Sequence, residues 1–201
     1  MIDGWGRKTL EPLLVSLARW LASAGISANA VSIAGLALGV GAGAAIATGH
    51  FWLALVLVLL SRLGDGLDGA VARITGGTDL GGYLDIVFDF FYYGAVPLGF
   101  VLYDPGANGI AGAVILFAFY VNGASFLAFA AVAEKRGMST DARGEKSFFF
   151  TTGLAEAGET LIFFLLACIL PDQFPVLAYI FAALTLYTAT ARVLLAARIF
   201  R

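Results

Sequence analysis

Cysteine is all but missing from this chain: Cys168 stands alone among 201 residues. That excludes an intramolecular disulfide and leaves the thiol as a small apolar side chain in a helix, with no thiol-activating neighbour in the sequence. Charge is scarce as well. Asp, Glu, Lys and Arg make up 13% of the chain against 60% hydrophobic residues, and mean hydropathy is +0.90, which excludes an ordinary soluble domain. Period-two alternation of apolar and polar residues is lacking throughout, so a sheet is excluded, and open sheet edges are in any case not tolerated in lipid. The net charge of −2 says little about partners because the charges are segregated. No nucleic-acid partner is expected.

What is present is apolar sequence in helix-sized pieces. Six segments, roughly 28–49, 51–73, 80–103, 108–133, 147–170 and 174–198, each approach the ~20 residues needed to span a bilayer. Turn residues separate them: Thr48-Gly49-His50, Thr75-Gly76-Gly77-Thr78, Asp104-Pro105-Gly106 and Pro171-Asp172. Before them, over residues 5–24, Leu10, Leu13, Leu14, Leu17, Leu21 and Ala24 fall on one helical stripe. Arg7, Lys8, Glu11 and Arg19 face elsewhere, and Trp5 and Trp20 mark the boundary. This pattern predicts an amphipathic helix lying on the membrane surface. Ala22-Ser23-Ala24 superficially resembles a signal-peptide cleavage site, but Glu11 and Arg19 interrupt any apolar core before it, so cleavage is not expected. The expected fold is an all-α membrane protein, one domain over 1–201, with a surface helix followed by six transmembrane helices.

Cations are missing from one side. Arg7, Lys8, Arg19, Arg62, Arg73, Lys135, Arg136, Arg143, Lys146, Arg192, Arg198 and Arg201 all fall toward the N-terminal side of the six-span arrangement. The connections around His50, Asp104 and Asp172 hold no Lys or Arg. The positive-inside rule predicts a multi-pass protein of the cytoplasmic (inner) membrane with both termini in the cytoplasm.

Against this apolar background stand four aspartates in one stretch: Asp65, Asp68, Asp85 and Asp89. Carboxylates within membrane helices are costly and mark ion or substrate sites. Spacings of three and four put each pair on one helix face. The rise between members is about 4.5 and 6 Å, close enough for carboxylates from both helices to reach a common ion, or two ions a few ångströms apart. An all-oxygen cage suits hard divalent cations, Mg²⁺ or Mn²⁺, and these suit a phosphate-bearing substrate on the cytoplasmic side. Gly66 and Gly69 strip side chains from the helix beside the first pair, and Ala72 is small. A flat ring and a pyrophosphate could therefore lie against the backbone, with Arg73 following as a fixed cation. Gly76, Gly77, Gly81 and Gly82 keep the linking turn compact.

These residues resemble the signature of the CDP-alcohol phosphotransferase family of integral membrane enzymes, D-x2-D-G-x2-A-R-x8-G-x3-D-x3-D. All eight fixed positions match, at Asp65, Asp68, Gly69, Ala72, Arg73, Gly81, Asp85 and Asp89. The spacer from Arg73 to Gly81 holds seven residues rather than eight. A further family element, T-P-N-x2-T at a helix start, survives loosely as Ser27, Ala28, Asn29 and Ser32. The resemblance implies two divalent metals held by the four aspartates over a CDP pyrophosphate, with Asp89 also acting as general base. It implies CDP contacts from Asp65, Asp68, Gly69, Ala72, Arg73, Gly81 and Asn29, and a homodimer. The implied reaction moves a phosphatidyl-type group from a CDP-linked donor, CDP-diacylglycerol in the favoured reading, to a small alcohol acceptor with release of CMP. The alternative, a divalent-cation transporter using the same aspartates, has no need of the intervening Gly, Ala and Arg.

Other polar residues inside spans are acceptor-site candidates. Glu156 and Glu159 lie three apart, and Arg143, Lys146 and Arg192 are the nearby cations; Asn122 and Ser125 are weaker candidates, since Asn and Ser also serve as interhelical glue. Two carboxylates would repel a phosphorylated acceptor and hold a hydroxyl-rich or amine-bearing one, so the second kind is expected. Arg62, one turn before Asp65, reads as a counter-ion to the acidic cage. The series Gly35, Gly39, Gly43 reads as a helix-packing face.

Overall fold

The computed structural model describes residues 2–138 and 157–201. Among these the regular elements are all helical: α1 (Ile2–Ser23), α2 (Ala28–Ala47), α3 (Phe51–Thr75), α4 (Asp79–Tyr103), α5 (Pro105–Lys135), α6 (Ala157–Ile169) and α7 (Phe174–Ile199), with a single 3₁₀ turn, Pro171–Gln173, before α7. Side chains set the starts. Ser27 accepts from Ala30 N–H, Thr78 from Gly81 N–H and Asp104 from Ala107 N–H, so each helix begins with one orphan donor satisfied. The turn between α3 and α4 begins at Gly76, whose φ of 93° an L side chain would resist.

Among the described residues four helical segments are long and apolar enough to cross a membrane: Ala28–Ala47, Asp79–Tyr103, Pro105–Lys135 and Pro171–Ile199. Helix α3 equals α4 in length, but Arg62, Asp65, Asp68 and Arg73 make it less apolar, and the described part of α6 has 13 residues. Of the six expected spans, four are met on length and composition among the described residues, and the fifth, 147–170, lies partly outside them. The outward faces are apolar; Ile110 is 75% exposed, Trp52 74% and Tyr120 73%, the inverse of a water-soluble bundle. The interior is aromatic and small. Phe100 stacks on Phe174 at 4.3 Å and Phe163 on Phe181 at 4.8 Å, with Ala42, Ala111, Ala167 and Ala178 filling between.

Helix α2 is the inner strut of the site. A Cβ on Gly43 would sit 2.5 Å from the Ala95 carbonyl oxygen of α4, and one on Gly39 would sit 2.9 Å from the Tyr92 ring. The Ser61 hydroxyl of α3 donates to the Gly35 carbonyl at 2.9 Å. The glycine series therefore packs helices, as small residues do where backbones approach closely. It presses α2 against both α3 and α4 and brings its first turn beside the turn between them. Helix α1 lies over the same end. Its Ala18 is fully buried against Ala70 and Val71 of α3, while Trp20 is 64% exposed on the far side. Helices α5 and α7 run side by side in the same direction, closed at their C-termini by Arg136, which donates to the carbonyls of Ile199 and Phe200.

Candidate functional site

The turn returns the chain antiparallel from α3 to α4, with α2 packed against both, and the helix lengths place the aspartates in two tiers. Asp68 is seven residues before the end of α3 and Asp85 six after the start of α4, about 10 and 9 Å along the axes; Asp65 and Asp89 are each ten residues in, about 15 Å. Electrostatics agree with the tiers: the strongest carboxylate neighbour of Asp65 is Asp89, and that of Asp68 is Asp85.

The tiers are held differently. Asp68 is buried and its Oδ2 accepts from the Ser32 hydroxyl of α2 at 2.5 Å. Asp89 Oδ1 accepts from Arg62 Nη1 at 2.7 Å, and Asp65 Oδ2 lies 3.7 Å from the same nitrogen. The Arg62 guanidinium lies over the Tyr92 ring, 3.9 Å from its centre. Arg62 is thus the counter-ion that its place one turn before Asp65 suggests. Ser32 was visible only as the last position of a loosely matched helix-start element. Tyr92 carried no signal beyond standing three residues after Asp89, on the same face.

All four aspartates line one cavity of about 950 Å³, as do Gly69, Ala72, Arg73, Gly81 and Asn29. Glu11 and Leu14 of α1 and Leu161 of α6 complete part of its wall. A Cβ on Gly69 would meet only the Arg73 side chain, at 3.7 Å, so that wall stays open to a ligand. One on Gly81 would press the Asn29 Oδ1 at 3.1 Å, so glycine there lets α4 start against α2. The lining carries five carboxylates against two guanidiniums, a negative excess that calls for cations.

Among the described residues no three carboxylates form a closed metal cluster, and Arg62 engages two of them. The donor chemistry nonetheless fits a hard divalent ion. The candidates are carboxylate oxygens, free of thiolate or imidazole, facing an open cavity whose ionisable lining is net negative.

The acceptor candidates fall elsewhere. Arg192 of α7 donates from Nη1 to the Asn122 carbonyl at 3.0 Å, to Asn122 Oδ1 at 2.9 Å and to Ser125 Oγ at 2.7 Å, and its guanidinium lies 5.5 Å from the Phe126 ring centre. The structure brings these three residues together but not onto the cavity wall. They satisfy one another between two packed helices, the role of polar glue in apolar surroundings. Glu159 lies in the first turn of α6, also off that wall. Glu156, Arg143 and Lys146 lie outside the described residues.

Three comparisons bear on the site. Residues 25–197 match the model of a family described as CDP-alcohol phosphatidyltransferase. The inner membrane protein YnjF of Escherichia coli (strain K12) is 44% identical over 193 residues, 96% of this chain and 94% of that one. Among solved structures, phosphatidylinositol phosphate synthase of Mycobacterium tuberculosis with CDP-DAG bound superposes with a TM-score of 0.72. It is 25% identical, over 90% of this chain and 92% of that one. The same enzyme in complex with manganese and citrate superposes equally well, at 25% identity, over 90% of this chain and 87% of that one.

Proposed function

Because this chain belongs to the CDP-alcohol phosphatidyltransferase family, we propose that it transfers a phosphatidyl group from CDP-diacylglycerol to a small alcohol and releases CMP. One observation carries the reading: all eight signature residues, four carboxylates from two facing helices among them, border a single cavity. The donor is supported by the structural relative seen with CDP-DAG, and a divalent ion by the one seen with manganese. Two ions, Mg²⁺ or Mn²⁺, would be held by Asp65, Asp68, Asp85 and Asp89 and would neutralise charge on the pyrophosphate.

The chain's own residues supply the rest. Gly69 and Ala72 leave a flat wall for the cytosine and pyrophosphate, with Arg73 as a fixed cation and Asn29 and Gly81 closing the nucleotide end. One oxygen of Asp89 is engaged by Arg62, which leaves Oδ2 to accept the hydroxyl proton of the acceptor. The alcohol oxygen bonds to the β-phosphorus and the bridging P–O bond breaks. Its electron pair leaves on the CMP phosphate. A base is needed because an alcohol is a weak nucleophile at neutral pH. In this reading α1 lies on the cytoplasmic surface of the inner membrane, six helices span it, both termini are cytoplasmic, and two copies form a homodimer. The name of the Escherichia coli relative and the apolar outer faces support the membrane assignment.

The test is CMP formation by the purified protein in liposomes containing CDP-diacylglycerol, across a panel of neutral, amine-bearing and phosphorylated alcohols. Acceptor-dependent CMP release is the expected result. Mn²⁺ entering the vesicles with no CMP formed under any acceptor would overturn the transferase reading in favour of transport.

A further inference from the structure

The four aspartates are not equivalent, and Arg62 is what separates them. It lies outside the eight signature positions, yet among the described residues it makes the closest ion pair on the cavity wall, to Asp89 at 2.7 Å. Its hold comes from behind. The guanidinium is stacked on Tyr92, whose ring is fully buried, meets Phe164 edge-on at 5.3 Å and lies against Gly39 of α2. Arg62 and Tyr92 thus approach from α3 and α4 and are braced by α2 and α6. Asp89 and Tyr92 stand three apart on α4, so α4 grips Arg62 by its charge and by its face together.

This arrangement is costly. The Arg62 Nε and the Tyr92 hydroxyl are buried with no hydrogen-bond partner among the described residues. A contact kept only for packing would be met more cheaply by apolar side chains. The planar guanidinium can stack on an aromatic face and bond a carboxylate at its edge at once, which a lysine cannot do.

We propose that Arg62 is a positioning residue: a built-in counter-ion that holds Oδ1 of Asp89 in a fixed direction, so that Asp89 meets metal and acceptor through its other oxygen alone and cannot close on an ion with both. The inference rests on the transferase reading above. It predicts that without Arg62 the acidic site binds metal more tightly and turns over more slowly, since both oxygens of Asp89 are then open to the metal and one positive charge is gone.

The experiment compares wild type with Arg62→Gln and Arg62→Lys in two measurements: Mn²⁺ titration of the metal-free protein without substrate, and steady-state kinetics of CMP release. For Arg62→Gln, Mn²⁺ affinity should rise about tenfold, from loss of a nearby like charge. In the same variant kcat should fall on the order of 100-fold with the donor KM nearly unchanged, the pattern of a lost transition-state contribution. Arg62→Lys keeps the charge but not the fork or the stacking. It should bind Mn²⁺ as wild type does, with kcat down about fivefold. Unchanged or weaker Mn²⁺ affinity in a folded Arg62→Gln protein would overturn the proposal. Should Arg62→Gln not fold, Arg62→Lys decides, and wild-type kcat there would overturn it too. Absence of CMP release by wild type would instead sink the transferase reading, so the two failures are distinct.

Discussion

Asp68 and Asp89 carry the same functional group in opposite settings. The first is buried and held by a neutral hydroxyl on α2; the second faces a guanidinium. If Asp68 is mainly a ligand and Asp89 mainly the base, Asp68→Asn should abolish metal binding and turnover together. Asp89→Asn should cut kcat by about 10²–10⁴, the usual worth of a general base, while the CDP ligand still binds. Calorimetric titration with a CDP ligand plus Mg²⁺ separates the cases, and equal loss of binding in both would make Asp89 chiefly a ligand. A second residue-scale prediction concerns the acceptor. Glu156→Gln should raise the acceptor's KM by about tenfold and leave donor affinity unchanged, as when ground-state binding alone is lost. A preference for a phosphorylated alcohol, with Arg143, Lys146 or Arg192 setting its KM, would reverse that expectation.

Among the elements, α2 sets the spacing of the site although it contributes no aspartate. Gly43→Val would drive its side chain into the Ala95 backbone. It should cost about 1–3 kcal/mol, as overpacking does, and lower activity by moving Ser32 away from Asp68. Gly94→Ala on α4 meets nothing within 4 Å and should be neutral or stabilising by about 0.5–1 kcal/mol from helix propensity. Thermal unfolding in detergent checks both, and equal effects would show that crowding at Gly43 is relieved elsewhere.

The contrast between these helices also explains what could be read in advance. The acidic residues of α3 and α4 were legible because helix periodicity is local: three or four residues apart means one face, whatever the rest of the chain does. The turns at Thr78 and Asp104 are local in the same way. The bond from Ser32 to Asp68 joins residues 36 apart, and those from Arg192 to Asn122 and Ser125 join residues 70 and 67 apart. No periodicity encodes such distances, so Asn122, Ser125 and Arg192 were legible only one by one, and not as the interhelical cluster they form. The burial of Ala18 of α1 against α3 was hidden likewise, since a stripe facing a lipid surface and a stripe facing a neighbouring helix have the same composition.

Taken as one molecule, the cavity's five carboxylates and two guanidiniums make it a poor host for a pyrophosphate unless cations arrive first. Removing divalent ions with excess EDTA should therefore abolish CMP release, and Mg²⁺ or Mn²⁺ should restore it. Turnover that persists in the chelator would show that the protein's own charges suffice. The same balance predicts strong donor binding only in the presence of metal, which a fluorescent CDP ligand would report directly.

The two tiers lie about 9–15 Å in from the helix ends that meet at the Gly76 turn. In the proposed arrangement, with those ends at the outer edge of a headgroup zone of roughly 5–7 Å beside a ~30 Å hydrocarbon core, the tiers would lie a few ångströms below the lipid phosphates. For the proposed donor, the pyrophosphate would then be drawn down to the aspartates while the acyl chains stayed in their leaflet. The proposed alcohol would descend to meet it, and a lipid product would leave sideways, by diffusion in the plane, without crossing an aqueous gap.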